Sequence, residues 1–204
     1  MTRGCYAWTV LPKTLPLLRW LTLSFLALLC VLAVPSSARA AGALPPAGEY
    51  VVDARGSAVT FNVTNFVVSS VDGKFTAFDG KVVVGDSLAT TTVEASVDIA
   101  SIDTGIKQRD DHLRSGDYFD VAKHPRMTWK SSQLWGTADS FGMKGTLTIK
   151  GISKEVVFAG RISDAGVIVC DTKIDRQNFG LTAGPSIKNE VRLRLSIRMA
   201  KRGA

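Results

Sequence analysis

From Glu49 onward the apolar positions recur at every second residue, the period of a strand that buries one face. Val59, Phe61 and Val63 alternate with Thr60 and Asn62, and Val93, Ala95, Val97 and Ile99 with Glu94, Ser96 and Asp98. Met127 and Trp129, Leu147 and Ile149, and Val156 and Phe158 repeat the pattern. The last run is the cleanest. Val191, Leu193, Leu195, Ile197 and Met199 share one face, with Arg192, Arg194, Ser196 and Arg198 on the other. A helical period would scatter these residues around an axis. Turn signals at Asp72-Gly73, Asp79-Gly80, Gly85-Asp86, Lys150-Gly151 and Asp164-Ala165-Gly166 separate the runs. Many strands with one wet face, joined by short turns, predict an antiparallel all-β fold. Residues 190–200 alone would reach about 36 Å at about 3.3 Å per residue. Strands of that length suit a closed barrel of about eight better than a sandwich. One stretch, residues 105–115 (GIKQRDDHLRS), reads as a short helix on a long connection.

The first forty residues are of another kind. Arg3, Lys13, Arg19 and Arg39 are their only charges, and WLTLSFLALLCVLAV runs apolar from Trp20 to Val34. Pro35, Ser36 and Ser37 then lead to Ala38-Arg39-Ala40, a small-x-small exit. This describes a secretory signal cleaved after Ala40, since a membrane span needs about 20 apolar residues. The expectation is therefore an exported, periplasmic protein. Residues 41–48 form a flexible lead-in, 49–200 the barrel domain and 201–204 a tail. With four basic residues removed, the net charge falls from +7 to +3, which gives no argument for nucleic acid binding. Cys5 and Cys30 leave with the signal, so Cys170 has no partner within the mature chain and reads as a small buried apolar residue.

Candidate chemistry is sparse. The two histidines, His112 and His124, stand twelve residues apart, which matches no usual metal-ligand spacing. No G-x-S-x-G or H-E-x-x-H motif occurs. The adjacent Asp110 and Asp111 would point about 100° apart on a helix and could not share a substrate. No catalytic residue, metal or cofactor is expected, and no enzyme. The segment RDDHLRS allows two readings. Arg109 and Arg114 could hold an anionic head group at a rim, or the whole segment could be an ion-paired surface helix. For any single residue the second reading is preferred. The arginine stripe of the last run likewise reads as a solvated outer face, though it leaves room for transient membrane contact.

Four further stretches carry a family resemblance. They are Asp53, Ser57, Val59, Phe61 and Val63, continuing through Ser69, Val71, Gly73, Phe75, Phe78 and Gly80; SIDTGIKQRDDHLRSGDYFDVAKHP from Ser101; GTLTIKGISKEV from Gly145; and IDRQNFG from Ile174. In order and spacing these resemble the YceI-like family, exported lipocalin-like barrels associated with polyisoprenoid lipids. The resemblance implies a carrier for an isoprenoid lipid or quinone-like molecule held inside the barrel. Its apolar lining would draw on Phe61, Val63, Phe75, Phe78, Val97 and Ile99 from the first half of the domain. Phe119, Trp129, Leu147, Ile149 and Phe158 would continue it, with Leu193, Leu195 and Ile197 from the last run. Rim candidates are Asn65, Arg109, Asp110, His112, Arg114 and Arg176. Gly56 and Asn65 stand where the family often has histidine, which puts head-group selection in question. The alternative is a solid-packed barrel that docks a membrane or redox partner through residues 101–125. Sequence leaves open whether the interior is hollow or filled.

Overall fold

The structure is a computed structural model that describes residues 43–65 and 69–203; the signal expected over residues 1–40 lies outside them. The chain forms β1 (Gly48–Val52), β2 (Ala58–Asn65), β3 (Ser69–Phe75), β4 (Phe78–Val84), β5 (Thr92–Asp98), β6 (Ile102–Asp103) and helix α1 (Lys107–Arg114). Then come β7 (Arg126–Thr137), β8 (Ser140–Ile149), β9 (Ile152–Ile162), β10 (Ile168–Asp175), β11 (Ile187–Ile197) and β12 (Met199–Lys201). All belong to one sheet in the order β12-β1-β4-β5-β7-β8-β9-β10-β11-β2-β3-β6, and every neighbouring pair is antiparallel.

Among the described residues, twelve segments make eight long strands. Gly48 lies opposite Val84 and Asn65 opposite Ser69, so β1–β2 and β3–β4 run beside each other with a slip of only two residues between ladders. In the same way β5–β6 continues along β4–β3, and β11–β12 along β2–β1. The last long strand pairs with β10 on one side and with β1 and β2 on the other, which closes the barrel. The breaks are bends. At two of them a strand-end aspartate accepts from the backbone N–H two residues on, Asp53 from Arg55 at 3.1 Å and Asp98 from Ala100 at 2.9 Å, opening a single 3-10 turn. Bends of this kind let long strands curl around a closed interior without a free edge.

Two of the expected turns are strand interiors instead. Asp72-Gly73 lies within β3 and Asp79-Gly80 within β4. The glycines are required by packing rather than by chain reversal. Gly73 stands opposite Phe61, and a Cβ there would come within 2.2 Å of the ring. At Gly80 a Cβ would meet Val52 at 2.8 Å. Lys150-Gly151 does turn the chain. Both residues have positive φ, 51° and 74°, and join β8 to β9 as a two-residue hairpin. Helix α1 falls within the expected 105–115 stretch.

Candidate functional site

The inward faces of the strands do not fill the barrel completely. One apolar chamber of about 130 Å³ lies at the end closed by the β7–β8 and β9–β10 turns, between Phe78, Trp129, Leu134, Phe141, Cys170 and Leu195. The segment before β1 helps to close it: Leu44 and Pro45 line this lower chamber, and the Tyr50 hydroxyl donates to the Pro46 carbonyl at 2.8 Å. A second apolar chamber of about 100 Å³ lies at the helix end, between Phe61, Phe75, Leu113, Phe119, Ile149 and Leu193. The two share no lining residue.

What separates them is a waist of rings. Trp129 and Phe158 meet edge to face with centroids 5.6 Å apart, and Leu147 is buried beside them on β8, where it pairs with Trp129. Phe61 and Phe75 form a tilted pair, also at 5.6 Å, across the upper side. Along β7 and along β11 the boundary falls between alternate inward residues: Met127 and Leu193 face the upper chamber, Trp129 and Leu195 the lower. Glycine makes room for the indole, since a Cβ on Gly145 would come within 2.6 Å of Trp129 Cζ2.

The upper chamber opens into a wider mouth of about 450 Å³ that shares Phe61, Val63, Leu113, Tyr118 and Ile187 with it and adds Asn65, Gln108, Arg109 and His112. Much of the polar chemistry around this mouth is already used by the protein. Asp110 is buried and accepts from the Thr104 N–H at 2.9 Å and its hydroxyl at 2.6 Å; Arg109 donates to the same hydroxyl at 2.7 Å and to the Thr104 carbonyl at 2.8 Å. Arg114 donates to the carbonyls of Ala100 and Ile102 and pairs with Asp111 at 3.0 Å. His112 lies 3.4 Å from Asp117 and edge-on to Tyr118. Arg176 is 5% exposed and reaches five carbonyls, those of Leu181, Ala183, Gly184, Ile187 and Lys188. Its guanidinium ties the 176–188 loop together.

The expected lining residues therefore divide. Phe61, Val63, Phe75, Phe119, Ile149 and Leu193 face the upper chamber, and Phe78, Val97, Trp129, Leu195 and Ile197 the lower. Leu147 and Phe158 stand at the waist, and Ile99, with no exposed surface, is packed in the wall on a 3-10 turn. Of the two positions where the family often has histidine, Asn65 is at the mouth, whereas Gly56 is exposed on the outer surface against Arg198. Leu44, Leu134, Met143 and Tyr118 also line the interior, and sequence reading did not single them out. Met143 lies on the inward face of β8, but Leu44 precedes the first strand, where no period marks it.

Electrostatics separate the wall from the surface. Burial and, to a lesser degree, the Asp171 charge push the Cys170 thiol from 9.0 up to about 12, so it is protonated and unreactive at neutral pH. Outside, hydrogen bonding and charge from Lys81 hold Glu49 below its ordinary range, Lys130 does the same for Glu94, and Lys107 for Asp111. These are exposed ion pairs that decorate the barrel.

Comparison with known proteins agrees with this architecture. The YceI-like domain model matches residues 50–199. A UPF0312 protein of Vibrio cholerae is 31% identical over 149 residues, covering 71% of this chain and 75% of its own. Among solved structures, Burkholderia cenocepacia BcnA superimposes with a TM-score of 0.67 at 25% identity, covering 74% of this chain and 99% of its own. A polyisoprenoid binding domain from Saccharophagus degradans follows at 0.58 and 18%, covering 74% and 98%.

Proposed function

Because this chain belongs to the YceI-like family, we propose that it is a non-enzymatic carrier that shelters a long-chain apolar ligand, an isoprenoid lipid or quinone-like molecule, inside the barrel. The observation that carries the reading is the pair of apolar chambers inside the barrel, parted by the waist of rings, the upper one open to a mouth. A cavity of about 150 Å³ lined by aliphatic and aromatic side chains is large enough to take up benzene, so each chamber accepts a fragment of that order. Ligand pockets usually run to about 300 Å³ or more. A long chain therefore occupies both chambers at once, and the Trp129–Phe158 pair has to part to let it through. Each methylene moved from water into such a wall contributes about 0.8 kcal/mol, so affinity needs few polar contacts. The binding named for the Saccharophagus degradans neighbour supports the ligand class.

The alternative, docking through residues 101–125, has less to work with, because Arg109, Arg114 and Asp110 are committed to holding the segment together. The apolar stretch at Trp20–Val34 and the Ala38-Arg39-Ala40 exit support export, and the periplasm is the compartment proposed. Native mass spectrometry and organic extraction of protein purified from its own host test carriage. The expected result is one apolar molecule per chain; protein that is repeatedly empty and takes up nothing from a lipid panel would contradict it.

A further inference from the structure

Around the outside of the barrel most charges cancel locally. Glu49, Asp79, Glu94, Glu155 and Glu190 each hold a lysine or arginine of another strand. Arg192 and Arg194 break the pattern. Among the described residues neither guanidinium has a carboxylate partner, although Arg194 on β11 stands opposite Asp171 on β10. Both line instead an open groove of about 720 Å³ over β2 and β3, together with Thr60, Asn62 and Lys74. The acids of this groove are already engaged. Asp103 accepts from the Gly105 N–H at 2.9 Å and pairs with Lys74 at 3.4 Å, and Asp72 accepts from the Asn62 amide at 2.7 Å. Three cations line the groove against two carboxylates, so one positive charge is left over, carried by two forks that no protein group fills.

Position gives that charge a use. The groove adjoins the mouth: Asn62, Asp72 and Gly105 line the groove, and their chain neighbours Val63, Val71 and Ile106 line the mouth. Ile106 is 52% exposed, a large apolar side chain standing in water at the rim. Solvation alone would account for the arginines, and a free anion would fill their forks, but neither covers the isoleucine. A surface of anionic phospholipid does both. Its phosphates accept from guanidinium in pairs, and an apolar side chain beside them reaches past the head groups. A mouth set against a bilayer also gives a water-insoluble chain a path that avoids water.

We propose that this side of the mouth is a docking surface for an anionic phospholipid bilayer, with Arg192 and Arg194 at the level of the phosphates and Ile106 in the interface. The proposal rests on the carrier reading for its purpose, since it names the membrane as the partner that gives or receives the ligand. The contact itself is measured without any ligand.

Protein expressed from the full-length chain and delipidated tests this by flotation with two kinds of vesicle, phosphatidylcholine alone or phosphatidylcholine mixed with phosphatidylglycerol. Binding should be confined to the mixed, anionic vesicles and should fall as salt rises. Arg192→Gln and Arg194→Gln should each weaken it about fivefold, the effect of one basic residue near such a surface. Ile106→Asp should weaken it at least as much. Lys144→Gln removes the same charge from β8, across the barrel from β2, and should leave binding within about twofold of wild type. Equal binding to both vesicles, binding to neither, or a loss from Lys144→Gln as large as that from Arg192→Gln would overturn the docking surface. Uptake of a dansyl-tagged prenol, measured with no vesicle present, should be unchanged in both arginine variants. Wild type that takes up no prenol sinks the carrier reading, while the vesicle result still decides the surface. The vesicle and salt comparisons are read on wild type, so the test survives a variant that fails to fold.

Discussion

The two halves of the barrel enclose apolar space by different means. The lower chamber is shut by hydrophobic packing, with strand ends, tight turns and Leu44 and Pro45 folded against it. The upper one, open to the mouth, is framed by a polar scaffold, in which Arg176 gathers five carbonyls of its loop and Asp110, Thr104 and Arg109 lock the start of helix α1. A greasy plug can only be displaced by another apolar group. A scaffold of loops and one short helix is held instead by discrete hydrogen bonds, those from Arg114 to the Ala100 and Ile102 carbonyls among them. On the carrier proposal, entry belongs to the helix end and depth to the other.

The largest effect is expected from removing the Arg176 clasp. Arg176→Ala leaves five carbonyls without their donor and should cost about 3 kcal/mol or more, measured by urea unfolding. A loss below about 1 kcal/mol would show that the upper end is not held this way. Asp110→Ala strips the Thr104 N–H and hydroxyl of their shared acceptor, and should cost about 1–3 kcal/mol while raising the rates of ligand uptake and release. An unchanged rate in stopped-flow binding would separate the helix from entry.

The lower wall has its own signature. With the Cys170 thiol pushed from 9.0 up to about 12, folded and unfolded chains are both protonated below pH 9, and its contribution is constant there. As pH rises from 9 toward 12 the unfolded chain ionises first, so the barrel should lose about 1 kcal/mol by pH 10. Cys170→Ala should flatten that part of the stability–pH curve, and a curve identical to wild type would place water in the wall.

The gentlest perturbation sharpens the contrast. Leu193→Phe and Leu195→Phe add a ring to the upper and lower chamber in turn, two residues apart on one strand. Each should change stability by less than about 1.5 kcal/mol, because there is space to fill. Ligand capacity should fall in both. Only the upper substitution should slow uptake, as followed by stopped-flow fluorescence.

Strand faces were the most legible part of this protein, because a two-residue period survives closure of the sheet. Val191 through Met199 kept their face across the bend at Arg198. Glycine in strands was misread at Asp72-Gly73 and Asp79-Gly80, since the same residue serves a tight turn and a ring packed across a ladder. The lining set was visible as a set, but its division at Trp129 and Phe158 was not, because which rings meet depends on register between strands far apart in sequence. At the rim, Arg176 reads as a free cation until the 176–188 loop closes around it.

On the carrier proposal, a ligand chain lies along the barrel through both chambers. The most direct test of this is affinity against length, measured by titrating the delipidated protein with n-alkanols or prenols of increasing chain. Binding should tighten by up to about fourfold per methylene, then level off once both chambers are full, with the plateau reached at shorter chains in Leu195→Phe. Affinity that does not change with length would contradict the account.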